Sequence, residues 1–74
     1  MKVNEIYEVL DFNKKKVEYE VVIKAIRESE IDVDADEVYD GYVVPLGIVA
    51  LDKKHFLERI EKGEIRKKGE IVYD

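Results

Sequence analysis

The fold is decided by residues 30–52, which have the sequence EIDVDADEVYDGYVVPLGIVALD. Apolar and acidic residues alternate before Asp40-Gly41, and a largely apolar segment follows it. An Asp-Gly pair between two such segments favours a type I′ turn, because that turn needs positive φ at both central residues. The stretch therefore predicts a β-hairpin with strands at 31–39 and 42–50.

A two-residue turn also fixes the register, meaning which residues lie opposite each other. The predicted pairs are Tyr39–Tyr42, Glu37–Val44, Ala35–Leu46, Val33–Ile48 and Ile31–Ala50. Nearly all of these residues are apolar or aromatic, so this face is predicted to be the core, with Val33, Val44, Leu46 and Ile48 buried. Pro45 has no N–H and is expected at an edge or a bulge.

The other face of the first hairpin strand is predicted to be a ladder of carboxylates. Alternate residues of a strand share a face at a spacing of ~6.6–6.8 Å, which places Asp32, Asp34 and Asp36 in one row. The surface from residue 30 to residue 40 is predicted to bind a protein partner with a basic surface. Its residues are Glu30, Asp32, Asp34, Asp36, Glu37 and Asp40.

The charge distribution supports this prediction. Net charge is −5, yet residues 28–52 contain eight acids and no base, which gives −8. Residues 1–27 have six bases and five acids, and residues 53–74 have seven bases and five acids, so the flanks are +1 and +2. Like charges repel across a sheet, and such a ladder resembles the phosphate spacing of a nucleic acid backbone.

Two other interpretations of the ladder stay open. Asp32-x-Asp34-x-Asp36 begins like a calcium loop, but Glu37 stands where that loop needs glycine, so only a looser Mg²⁺ site remains. Alternatively, the carboxylates are a solvated face that protects a sheet edge from aggregation.

The rest of the chain predicts an α-β-β-β-α-β order. Apolar residues at helical spacing predict a helix over 3–11, and period-2 alternation favours a strand over 17–25, with a helix as the competing interpretation. Asp52 as N-cap, a Leu51–Phe56 staple and Gly63 as stop predict a helix over 53–62. A short final strand is expected at 71–73.

These elements make one small α+β domain over residues 1–74, an antiparallel sheet with helices on one face. The chain has no cysteine and one histidine, His55, so we expect no disulfide, no cofactor, no metal centre and no catalytic site. Without a membrane-spanning stretch or a secretory signal at the start, a cytoplasmic location is expected. The oligomeric state stays open, including a homodimer.

Basic clusters suggest an alternative function, binding of nucleic acid by loops. These clusters are Lys14–Lys16, Lys53-Lys54 and Arg66–Lys68. The element order, with Asp52-Lys53-Lys54 opening the last helix, resembles double-stranded-RNA-binding domains, although their Gly-Pro-x-His loop has no counterpart. Because the chain is acidic overall, direct binding to nucleic acid is disfavoured.

Residues 29–73 also resemble the tail of small polymerase-β-like nucleotidyltransferases. The likeness lies in Ser29-Glu30-Ile31-Asp32-Val33 and in Lys68-Gly69-Glu70-Ile71-Val72-Tyr73. The Gly-Ser helix of that family is missing and Glu30 replaces its first Asp, so the resemblance implies at most a degenerate, metal-binding relative. The sequence favours a non-enzymatic interaction protein, and small acidic inhibitors or modulators, including phage- or virus-encoded ones, fit this description.

Overall fold

A computed structural model of the chain describes residues 1–73 and shows one five-stranded sheet and one helix. The strands lie in the order β4-β3-β2-β1-β5, and every neighbouring pair is antiparallel. The elements are β1 (Glu5–Leu10), β2 (Val17–Ile26), β3 (Glu30–Tyr39), β4 (Tyr42–Asp52), α1 (Lys53–Glu61) and β5 (Ile65–Glu70). The α+β class fits in outline, because a small, mostly sheet domain is combined with a single helix.

The first element is a strand, so the predicted helix over 3–11 is wrong. Glu5, Tyr7 and Val9 alternate on the buried face of β1, and Ile6 and Glu8 point to the other face. Four apolar residues at helical spacing are a weak signal over so short a span. Pairing with β2 on one side and β5 on the other decides the outcome, since strand formation depends on neighbours distant in sequence.

The other elements follow the predictions more closely. The strand interpretation of residues 17–25 is confirmed by β2, which places Val21 and Ile23 in the core. Helix α1 is confirmed with its cap, because Oδ1 of Asp52 accepts a hydrogen bond from the His55 N–H at 2.8 Å. Gly63 has φ +75°, as the predicted helix stop requires.

The chain end differs from its prediction, because β5 spans Ile65–Glu70 and residues 71–73 form no strand. The element order is therefore β-β-β-β-α-β. Without a first helix, the likeness to double-stranded-RNA-binding domains loses the element order on which it was based.

The hairpin of β3 and β4 forms as predicted, but its register shifts midway. Asp40 (φ +50°) and Gly41 (φ +84°) make the turn, and the pairs Tyr39–Tyr42 and Glu37–Val44 are confirmed. A bulge then leaves Leu46 without a partner, next to Gly47 at φ +82°. The predicted pairs Ala35–Leu46, Val33–Ile48 and Ile31–Ala50 are therefore wrong by one residue. The observed partners are Gly47, Val49 and Leu51 respectively.

The core lies between α1 and one face of the sheet. Phe56 of α1 is buried and meets the Tyr7 ring edge-on, with the ring centroids 5.4 Å apart. Ile23, Ile31 and Val33 are fully buried on the face of the sheet that packs against α1. The other buried apolar residues of this cluster are Tyr7, Val9, Val21, Ala35 and Ile65.

Burial of Val33 is confirmed, but the predicted burial of Val44, Leu46 and Ile48 is wrong. Leu46 is 48% exposed and Ile48 is 62% exposed. β4 is the edge strand, and α1 is only nine residues long and begins directly after it. Neither face of β4 is covered along Tyr42–Ala50 as a result.

Candidate functional site

The predicted carboxylate ladder forms on the sheet face opposite α1. Asp32, Asp34 and Asp36 alternate along β3 with buried residues that face the helix, and all three side chains are half-buried. Across the hairpin they lie opposite Ala50, Ile48 and Pro45. The ladder is thus bordered by apolar residues of the edge strand rather than by open solvent.

Glu30 continues the row beside Asp32 and also pairs with Arg27, but Glu37 and Asp40 lie elsewhere, so the six-residue surface is not continuous. Glu30 lies at the start of β3, opposite Asp52. Glu37 lies on the helix-side face, between Tyr19 and Val44. Asp40 is in the exposed turn. Because side chains of a strand alternate between faces, only the even-numbered residues of β3 could share the predicted surface.

Asp32 is neutralised by a base that stands just outside the acidic block. Both terminal nitrogens of the Arg27 guanidinium donate hydrogen bonds to the Asp32 carboxylate, and one of them donates to Oδ1 at 2.7 Å. This bidentate hydrogen bond lowers the pKa of Asp32 and raises that of Arg27. The block of residues 28–52 appeared uncompensated in sequence because the compensating base is residue 27.

The carboxylate row also extends across the sheet to residues that the sequence did not single out. Glu20 lies opposite Asp36, and Glu8 lies opposite Glu20. Lys68 of β5 binds Glu20 at 2.8 Å, and Arg66 of β5 binds Glu8 at 2.9 Å. The period-2 pattern of β2 could have revealed Glu20, whereas Glu8 was hidden by the helix prediction for residues 3–11.

Asp34 and Asp36 are the carboxylates of this row that stay free. Within residues 1–73, neither forms an ion pair or a side-chain hydrogen bond. They are adjacent to the exposed edge strand and farthest from the bases of β5. Among the described residues, no group of three or more His, Cys, Asp or Glu side chains could hold a metal ion.

β4 provides the apolar part of the site. From Tyr42 to Leu51 the strand has no charged residue. Ile48 and Ala50 lie on the ladder side, and Val44 and Val49 lie on the helix side. Exposed apolar patches bordered by polar residues are typical of protein interaction sites. The exposed large apolar residues of the hairpin are Tyr39, Tyr42, Val43, Val44, Leu46, Ile48 and Val49.

The predicted basic clusters are largely engaged within the chain. Arg66, Lys67 and Lys68 lie on β5 rather than in a loop, and each binds a carboxylate of β1 or β2. Nζ of Lys14 donates to the Lys62 carbonyl at 2.7 Å, and Nζ of Lys53 donates to the Arg27 carbonyl at 3.2 Å. The ion pairs of β5 reduce the positive charge available to a phosphate backbone.

Comparison of the chain with protein-family models, with curated proteins and with solved structures finds no match. In the described part of the chain, no helix has the length and apolar character that a membrane crossing requires.

Proposed function

We propose that the chain is a non-enzymatic interaction protein that binds a protein partner with a basic surface. The binding surface is the hairpin of β3 and β4, through the free carboxylates of Asp34 and Asp36 and the apolar side chains beside them. The observation that supports this most strongly is the exposure of an uncharged edge strand on both of its faces. Exposure of this kind leaves apolar area that a partner can remove from water.

Charge decides which kind of partner fits. The hairpin segment 28–52 contains eight acids and no base, and one of these acids, Asp32, is neutralised by Arg27. The negative potential of the other acids in this segment attracts cations and accelerates the encounter with a basic protein. The apolar residues of β4 then stabilise the complex once the two surfaces meet.

A protein partner is favoured over nucleic acid. Binding of nucleic acid depends on neutralising phosphates with lysine and arginine, and the net charge of this chain is −5. The bases of β5 are paired with Glu5, Glu8 and Glu20. Freeing them for phosphate would break ion pairs that link β5 to β1 and β2.

Affinity capture from a lysate of the source cells tests this proposal. Immobilised wild-type chain is compared with the D34N/D36N variant, and E58Q/E61Q is the matched control because Glu58 and Glu61 are exposed acids of α1. We expect wild type and control to retain the same basic protein and D34N/D36N to lose it. The complex should also weaken as salt rises, since exposed charges are screened beyond ~8 Å at physiological ionic strength.

Equal retention by all three forms would show that the carboxylates of the hairpin do not select the partner. Circular dichroism of each variant provides the folding control. Removing like charges from one face should leave the melting temperature unchanged or slightly raised.

A further inference from the structure

The two edges of the sheet are protected very differently. The β5 edge has Arg66, Lys67, Lys68 and Glu70, and charged residues are a common means of preventing strand-to-strand association. The β4 edge has no charge between Tyr42 and Leu51. Its only interruptions are Pro45 and the bulge at Leu46.

The hairpin geometry shows what Pro45 does at this edge. In a type I′ turn the Tyr42 N–H donates to the Tyr39 carbonyl, so Tyr39–Tyr42 is a hydrogen-bonded pair. Hydrogen-bonded and non-hydrogen-bonded pairs alternate along an antiparallel ladder. Asp36–Pro45 is therefore a non-hydrogen-bonded pair, and the nitrogen of Pro45 faces the open edge without a proton to donate. The part of β4 that remains uninterrupted is Gly47–Leu51.

We propose that Gly47–Leu51 accepts an extended segment of the partner protein as a sixth strand of the sheet. The segment has apolar side chains at alternate positions and lysine or arginine at its ends. This inference rests on the proposed function and specifies the binding mode and the chemistry of the partner. Main-chain hydrogen bonds provide affinity in such strand addition, and side chains on the two faces provide specificity.

Both faces of this part of β4 suit an added strand. Ile48 and Ala50 lie on the ladder side, and Val49 and Leu51 lie on the helix side. A strand placed beside them lies ~4.8 Å away, which brings its side chains against these residues on each face.

Charge complementarity selects a basic segment over a second copy of this chain. Asp34 lies opposite Ile48, so it is two strand spacings, ~9.6 Å, from an added strand. The long side chain of a lysine or arginine there can cross Ile48 toward the free carboxylate. A second copy would instead present another uncharged β4 flanked by the same acids, and would bring two chains of net charge −5 together.

Three synthetic peptides test this inference against the full chain. Lys-Lys-Val-Thr-Val-Thr-Val-Lys-Lys is basic and strand-forming, Lys-Lys-Gly-Ser-Gly-Ser-Gly-Lys-Lys has the same charge without strand propensity, and Glu-Glu-Val-Thr-Val-Thr-Val-Glu-Glu reverses the charge. Binding is followed by amide NMR shifts and amide hydrogen exchange. The variants are Ile48→Lys and, as control, Val72→Lys, which adds the same charge at an exposed apolar residue beyond β5.

We expect only the basic strand-forming peptide to shift and protect the outward-facing amides of Gly47–Leu51. Its affinity should fall at least about tenfold in Ile48→Lys and stay within about twofold of wild type in Val72→Lys. The side chains of Ile48 and Val72 are both exposed, so both variants should keep the wild-type fold.

Other results would overturn the inference in distinguishable ways. Equal binding of both basic peptides, with shifts centred on Asp34 and Asp36 and no protection of β4, would refute strand addition and leave the proposed function standing. If neither of the two basic peptides binds, both the inference and the proposed function are refuted. A dimer in sedimentation that strengthens with salt, with β4 amides protected in the absence of peptide, would identify a second copy as the occupant.

Discussion

Among residues 1–73, Glu5 is the charged residue that the fold buries most deeply, at 5% exposure. Its carboxylate is held by Lys67 Nζ at 2.8 Å, by the Lys2 backbone N–H at 2.6 Å and by the Tyr7 hydroxyl at 2.9 Å. The hydrogen bond from Lys67 is the largest influence, and together these donors outweigh burial and lower the pKa of Glu5 to about 2. The pKa of Tyr7 is raised to about 12, by burial first and then by the carboxylate.

These contacts predict a pH-dependent effect of Glu5→Gln. Because the pKa of Glu5 is lower in the folded than in the unfolded chain, its stabilisation is complete above about pH 4.5 and is lost as pH falls toward 2. At pH 7 we expect Glu5→Gln to reduce the free energy of unfolding by ~1–3 kcal/mol, and the difference from wild type to shrink below pH 4.5. Urea denaturation across this pH range measures both effects.

Glu70→Gln is the control for this prediction, because Glu70 is an exposed acid opposite Glu5 on β5. It should change the free energy of unfolding by less than ~0.5 kcal/mol at every pH. A Glu5→Gln loss that stays constant from pH 7 to pH 2 would show that the charge of Glu5 contributes nothing.

At the scale of elements, the hairpin shows which structural features the local sequence determines. Asp40-Gly41 predicted the turn and the first register pairs, because both depend on the φ angles of two residues. The bulge at Leu46 was not predicted, although Pro45 was expected at an edge or bulge and Gly47 provides the positive φ found beside it. Strand alternation alone does not show where an extra residue enters the ladder.

β1 and α1 differ in how far away in the sequence the residues that determine them lie. The ends of α1 were predictable because capping uses side chains a few residues away, as in the hydrogen bond from His55 to Asp52. β1 was not predictable, since its partners are β2 and the distant β5. A short apolar stripe in the isolated sequence cannot reveal that pairing.

Exposure of β4 leads to a prediction that contrasts two apolar truncations. Ile31 is fully buried on β3, whereas Leu46 is 48% exposed on β4. Ile31→Ala should lower the free energy of unfolding by ~2–5 kcal/mol, because it leaves a cavity in the core. Leu46→Ala should cost less than ~1.5 kcal/mol, because about half of its side chain is already in water. Chemical denaturation measures both, and equal losses would contradict the exposed position of β4.

At the scale of the molecule, the sequence predicted the acidic half of the candidate site and missed the apolar half. Asp34 and Asp36 are on one face because side chains alternate along a strand. Beyond the bulge at Leu46, alternation predicted the wrong face of β4 for Ile48 and Ala50, and it did not show that this strand lacks a cover. That depends on the length and path of α1, which packs against β3, β5 and the part of β4 nearest to it.

The charge of the molecule is likewise arranged by topology. β5 lies at the sheet edge remote from β4, and its bases neutralise Glu8 and Glu20 of the carboxylate row. The unpaired carboxylates Asp34 and Asp36 remain near the apolar edge. A basic, extended partner segment matches both features of this side of the sheet.

Amide hydrogen exchange of the chain, alone and in complex with the protein captured from the lysate, tests the central claim most directly. Alone, the outward-facing amides of Gly47–Leu51 should exchange rapidly, because no strand pairs with this edge. In the complex they should become strongly protected, while Arg66–Glu70 at the other edge stays unchanged. Protection at Arg66–Glu70 with unaltered exchange along β4 would contradict the account, because the partner would then occupy the basic edge of the sheet.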